Sequence, residues 1–153
     1  MEQKIEDILN TYGNLLYRTA MVILGNPQDV QDVLQDVLIK CMKKMPDFDD
    51  KEHEKAWLLR VTINLCKDML RFRSRHQYLD IETVVIESEE VQEYDLLQEI
   101  ALLPYKWRIV LILHFVEGYS LKEIAGILSI SENAVKKRMQ RAKTALKKRL
   151  EDN

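Results

Sequence analysis

Residues 120–150, SLKEIAGILSISENAVKKRMQRAKTALKKRL, hold two helical periodicities with only a few residues between them, which confines the stretch to a pair of helices joined by a tight turn. Ser120 followed three positions later by Glu123 forms a capping-box pattern that starts the first helix, with Ile124, Ala125 and Leu128 as its buried side. Ser129 and Ile130 make the turn. Ser131 is placed to cap the second helix, whose inward stripe reads Val135, Met139, Ala142, Leu146 and Leu150. Opposite that stripe fall Asn133, Lys137, Gln140 and Arg141, flanked by Lys136 and Arg138.

A helix-turn-helix needs a small residue where its helices cross, an apolar plug after the turn, and a second helix whose N-terminal half offers long donors. Ala125, Ile130 and the Asn133 to Arg141 face meet those needs at compatible spacing. Lysine and arginine reach guanine edges or phosphates and asparagine pairs with adenine, so the face suits the major groove of DNA. The alternative is an ordinary helical hairpin with a solvated basic face; agreement of spacing with charge favours DNA binding.

The formal net charge of −2 conceals strong segregation along the chain. Residues 55–75 hold six Lys or Arg against the single acid Asp68, and residues 133–149 hold eight with no acid, while residues 76–105 between them hold eight acids and no Lys or Arg. Two anion-facing surfaces are expected, separated by a segment that repels phosphate.

Upstream, Ile5, Ile8, Leu9, Tyr12, Leu15, Leu16, Thr19 and Val22 recur at helical spacing until Gly25-Asn26-Pro27 stops them. A second helix starts at Pro27 with Val30, Val33, Leu34, Val37, Leu38, Cys41 and Met45 as its stripe and Asp29, Asp32, Gln35 and Asp36 outside it. A third, from about Glu54 to Arg75, carries Trp57, Leu58, Val61, Leu65, Met69 and Phe72 inward, and Arg60, Asn64, Lys67 and Arg71 as a polar stripe able to bind phosphate and an unstacked base. Residues 79–95 read as a linker. Helical pattern resumes at Leu96, breaks at Pro104 and halts at Gly118.

Four glycines and three prolines are too few for a loop-rich or all-β chain. The expected fold is all-α: two small helical domains, residues 1–78 and 96–153, joined by an acidic linker, the second carrying the helix-turn-helix. Cys41 and Cys66 sit inside helical patterns without CxxC or Cys/His spacing, so neither a metal site nor a disulfide framework is indicated, and no cofactor is expected. The run Ile109 to Val116 is far short of the roughly 20 residues a membrane span needs, and acids crowd the N-terminus where a signal peptide would be basic, which places the chain in the cytoplasm.

The segment LLPYKWRIVLILHFVEGYSLKEIAGILSISENAVKKRMQRAKTAL resembles the C-terminal promoter-reading domain of bacterial RNA polymerase sigma factors. NPQDVQDVLQDVLIKCMKKMPDF and KAWLLRVTINLCKDMLRFRSR look like the polymerase-binding and −10-element helices of the small extracytoplasmic-function (ECF) group. The resemblance covers almost the whole chain in the right order. It implies a non-enzymatic factor that docks on core RNA polymerase, reads the −35 element of promoter DNA with its C-terminal domain, melts and captures the −10 element with its N-terminal domain, and is held by an anti-sigma partner. By position, Asp29, Asp32, Gln35 and Asp36 would engage the polymerase clamp; Arg60, Asn64, Lys67 and Arg71 would face the −10 strand; Ser131, Asn133, Lys136, Lys137, Arg138 and Arg141 would read the −35 element. Ser129 and Asn133 stand where the family usually has glycine, and Ala134 where threonine is frequent. Serine tolerates positive φ poorly, so an altered turn is expected at Ser129. Two further readings remain: a helix-turn-helix regulator that is no sigma subunit, and a module that masks polymerase without touching DNA.

Overall fold

A computed structural model describes residues 2–76, 96 and 98–152. Every regular element among them is helical, and the chain divides into two compact units, Met1–Glu82 and Thr83–Asn153. The expected linker, residues 79–95, lies outside the described residues.

In the first unit, α1 (Glu2–Leu24), α2 (Pro27–Lys44) and α3 (Lys51–His76) pack pairwise around one core. Gly25 ends α1 at φ 70°, a conformation glycine adopts without strain, and its N–H reaches the Met21 carbonyl at 2.9 Å. Asn26 then caps α2, its side-chain oxygen accepting from Gln28 and Asp29 N–H at 2.8 and 3.2 Å, with Pro27 at the first helical position. Two of the core positions are threonines. Thr19 and Thr62 each donate their hydroxyl to the carbonyl four residues back, Leu15 and Leu58, at 2.8 Å, so both are buried without an unmet donor.

Helix α3 departs from its expected register. The fully buried side is Leu58, Leu59, Thr62, Ile63 and Cys66, whereas Trp57, Val61, Leu65 and Met69 are half-buried and Phe72 is 54% exposed. The true inward face is turned by about one residue, roughly 100° of helix, from the expected stripe. Apolar residues surround much of this helix, and packing against α1 and α2, with Thr62 hiding its hydroxyl, decides which of them go in. Leu9 on α1 is likewise outward, 47% exposed.

Among the described residues of the second unit, a helical turn at 98–101 is followed by α4 (Tyr105–Leu111), which passes directly into a π-helical turn (Ile112–Val116). Gly118, at φ 77°, closes that turn, and the Tyr119 N–H donates to the Leu113 carbonyl at 2.9 Å. Helices α5 (Leu121–Leu128) and α6 (Glu132–Glu151) follow, and α6 packs on both α4 and α5. Arg149 Nε donates to Glu99 Oε2 at 2.7 Å, which ties the last turn of α6 to residues 98–101. Leu150, expected inward, is 46% exposed.

Candidate nucleic-acid interface

The α5–α6 corner is built on reciprocal capping. Glu123 N–H donates to Ser120 Oγ and Ser120 N–H donates to Glu123 Oε1, both at 3.1 Å, as the spacing of the pair predicts. The Glu123 carboxyl is held below its ordinary value first by that backbone N–H and then by the Ser120 side chain. Ile124, Ala125, Ile127 and Leu128 are buried against α6, which offers Val135, Met139 and Ala142.

Between the helices, Ser129 takes the left-handed conformation itself, φ 57° and ψ 45°, and both its N–H and that of Ile130 reach the Ala125 carbonyl, the latter at 3.1 Å. Serine at this position therefore leaves the tight turn intact instead of altering it, and the backbone bears the strain that glycine would avoid.

Ser131 Oγ accepts the Ala134 N–H at 3.0 Å and starts α6. Its hydroxyl serves the helix first. Beyond it, Asn133, Lys136, Lys137 and Arg141 are exposed with Gln140, while Arg138 is half-buried. Lys136 lies 3.8 Å from Glu132, an exposed pair worth little in water that leaves the ammonium accessible. From Asn133 to Arg149 the helix carries eight cations and no acid, and the helix dipole adds positive potential at its N-terminal end. Lys143 is turned toward the body of the unit, its Nζ 5.4 Å from the centre of the Phe115 ring. An open groove of about 490 Å³ between Trp107 and the Gln140, Arg141, Thr144 and Lys148 side of α6 borders the basic face.

In the first unit, Arg60, Asn64 and Arg71 are exposed and Lys67 is half-buried, at successive spacings of four, three and four residues that put them on the side of α3 away from its buried face. Arg71 lies 3.5 Å from Asp68, both largely exposed. Trp57 borders this face, half-buried, with its ring 6.0 Å from that of Phe48 and tilted by 53°. It is a boundary residue and not part of the core.

On α2 the four expected acidic and amide residues separate. Asp32, Gln35 and Asp36 form one exposed stripe, which Ile39 and Met42, 41% and 45% exposed, continue. Asp29, expected outside the apolar stripe, is instead 8% exposed and ion-paired with Arg73 of α3. The compensating charge explains the burial: a carboxylate in the first turn faces favourable helix potential, and a guanidinium from the neighbouring helix offsets its lost hydration. Arg73 was missed because its partner lies on another helix, and no local spacing signals a contact of that kind.

Neither cysteine offers chemistry. Burial raises both thiols, Cys66 to about 12, so each stays protonated and unreactive. Among the described residues no group of three or more His, Cys, Asp or Glu could hold a metal ion, and no helix is long and apolar enough to cross a membrane.

The order of these surfaces along the chain agrees with that of two family models, Sigma-70 region 2 over residues 8–76 and Sigma-70, region 4 over residues 94–146. The chain is 30% identical to the ECF RNA polymerase sigma factor SigW of Bacillus subtilis, over 95% of this chain and 88% of that protein. Its fold matches the sigma factor RpoE of Bartonella quintana, solved in complex with the anti-sigma factor NepR, with a TM-score of 0.82 over 97% of this chain and 98% of the other at 21% identity. It also matches CnrH, a sigma factor of Cupriavidus metallidurans solved with the cytosolic domain of CnrY, with a TM-score of 0.72 at 25% identity over all of this chain and 91% of the other. With both sigma-70 regions present in order and a relative of this identity along nearly its whole length, the chain belongs to the ECF group of RNA polymerase sigma factors.

Proposed function

We propose that the two units divide promoter recognition between them. Helix α6 reads the −35 element through Asn133, Lys136, Lys137 and Arg141, with Ser131 and Arg138 at the edges of the contact. Helix α3 captures the −10 strand through Arg60, Asn64, Lys67 and Arg71. The exposed Asp32, Gln35 and Asp36 stripe of α2 docks on core RNA polymerase, and Asp29, buried against Arg73, stands outside that contact. The observation that carries this reading is the presence of one exposed cationic helical face in each unit, on α3 and on α6. The two faces suit different DNA: α6 offers long donors at a helix N-terminus to a groove, and α3 offers an amide among cations to unpaired bases.

The protein works in the cytoplasm with polymerase, carries out no covalent chemistry of its own, and is held by an anti-sigma partner, as RpoE is by NepR in its solved complex. A helix-turn-helix regulator acting alone leaves residues 8–76 without a role. Site-specific photocrosslinking tests the allocation in reconstituted holoenzyme: a crosslinker at position 137 should mark DNA near −35 and one at position 64 should mark the −10 strand. Both probes marking the same element would refute it.

A further inference from the structure

Asp29 and Arg73 form a cross-helix pair between the first turn of α2 and the last turns of α3, with side chains only 11% and 29% exposed. The pair joins the docking helix α2 to the DNA-capturing helix α3. On α2 the docking stripe Asp32, Gln35 and Asp36 begins one turn after Asp29; on α3 Arg73 lies just past Lys67 and Arg71. Arg73 is also turned away from the cationic face, so its charge is absorbed inside the unit and not presented to DNA.

We propose that Asp29 and Arg73 are positioning residues that hold the C-terminal half of α3 in register with the docking helix, so that the DNA-capturing face is set relative to the polymerase-bound face. The proposal rests on the assignment of α3 to the −10 strand. A half-buried guanidinium offsets a buried carboxylate, and each group left alone would be a poorly hydrated charge that the helix ends shift to relieve. Loss of the pair therefore moves the segment carrying Lys67 and Arg71 without removing any group that meets DNA or polymerase.

The test compares Asp29→Asn, Arg73→Gln, the exchange Asp29→Arg with Arg73→Asp, and the charge-keeping Arg73→Lys in holoenzyme assembled from core polymerase and the full chain. Core affinity and the yield of permanganate-reactive open complex are read on a duplex promoter that the unaltered protein opens, with Lys67→Ala/Arg71→Ala as a control on the DNA face. Each single neutralising variant should keep core affinity within about twofold and lose open complex by about tenfold, the size of coupling contacting residues commonly show. Arg73→Lys should recover most of the loss, as should the exchange where it folds; opening lost in Arg73→Lys as fully as in Arg73→Gln would overturn the charge pairing. Weakened core binding by Asp29→Asn with Arg73→Gln unaffected would overturn the proposal, because Asp29 would then touch polymerase itself. Unchanged opening in both single variants, with opening lost in the control, would overturn the pair's role alone. Unchanged opening in the control would overturn the −10 assignment and the proposal with it.

Discussion

Ser120 and Glu123 cap each other at 3.1 Å in both directions, and this pair sets where α5 begins and hence where α6 emerges beyond it. Because the Glu123 carboxyl is held below its ordinary value in the fold, the link stabilises fully above the ordinary glutamate value and is lost as pH falls through the lower folded one. Glu123→Gln keeps an acceptor for the Ser120 N–H but cannot titrate. Thermal unfolding followed across the acidic range should show the unaltered protein converging on the Glu123→Gln variant as pH falls; a constant difference between them would contradict this account.

The left-handed Ser129 gives a second prediction, of opposite sign to most substitutions in a tight turn. Left-handed backbone costs a residue with a Cβ about 1–2 kcal/mol, part of which glycine returns as extra freedom in the unfolded chain. Ser129→Gly should therefore stabilise the second unit by roughly 0.5–1 kcal/mol, and Ser129→Val should destabilise it by at least about 1 kcal/mol. Denaturant midpoints for the three proteins decide.

Helix α3 is where pattern reading and packing part. Leu59 is fully buried and Phe72 is 54% exposed, although the expected inward stripe held Phe72 and not Leu59. Leu59→Ala should cost about 3 kcal/mol and Phe72→Ala less than about 1 kcal/mol. Equal losses would restore the register that spacing alone suggests.

Elements whose ends carry their own chemistry were legible in the sequence. Gly25-Asn26-Pro27, Ser120 with Glu123, and Ser131 each place a helix boundary through bonds that span no more than four residues. The exposed faces of α6 and α3 were legible for the same reason, since charge recurring every three or four residues is a local property. The inward face of α3 was not, because apolar side chains nearly surround it and neighbours on α1 and α2 make the choice. Nor was the Asp29–Arg73 pair, which joins residues far apart in the chain and turns an acid that looked solvated into a buried one. The π-helical turn at Ile112–Val116 carries no residue signal of its own beyond the Gly118 that closes it.

If α6 is the phosphate- and base-contacting element, binding must depend on salt. Each neutralised phosphate contributes about −0.9 to the slope of log affinity against log salt, so Lys137→Glu with Arg141→Glu should weaken binding and flatten the slope by about 2. Titration of holoenzyme on promoter DNA over a series of salt concentrations measures both. A slope unchanged by the double reversal would place these side chains away from DNA.

The central claim, that this chain directs initiation by core RNA polymerase, is tested most directly by run-off transcription on genomic fragments, including the DNA upstream of its own gene. Core polymerase alone should give no discrete product, and addition of the protein should give transcripts from defined start sites that vanish with Lys137→Glu/Arg141→Glu. Failure to bind core, or the absence of discrete transcripts from every fragment, would contradict it.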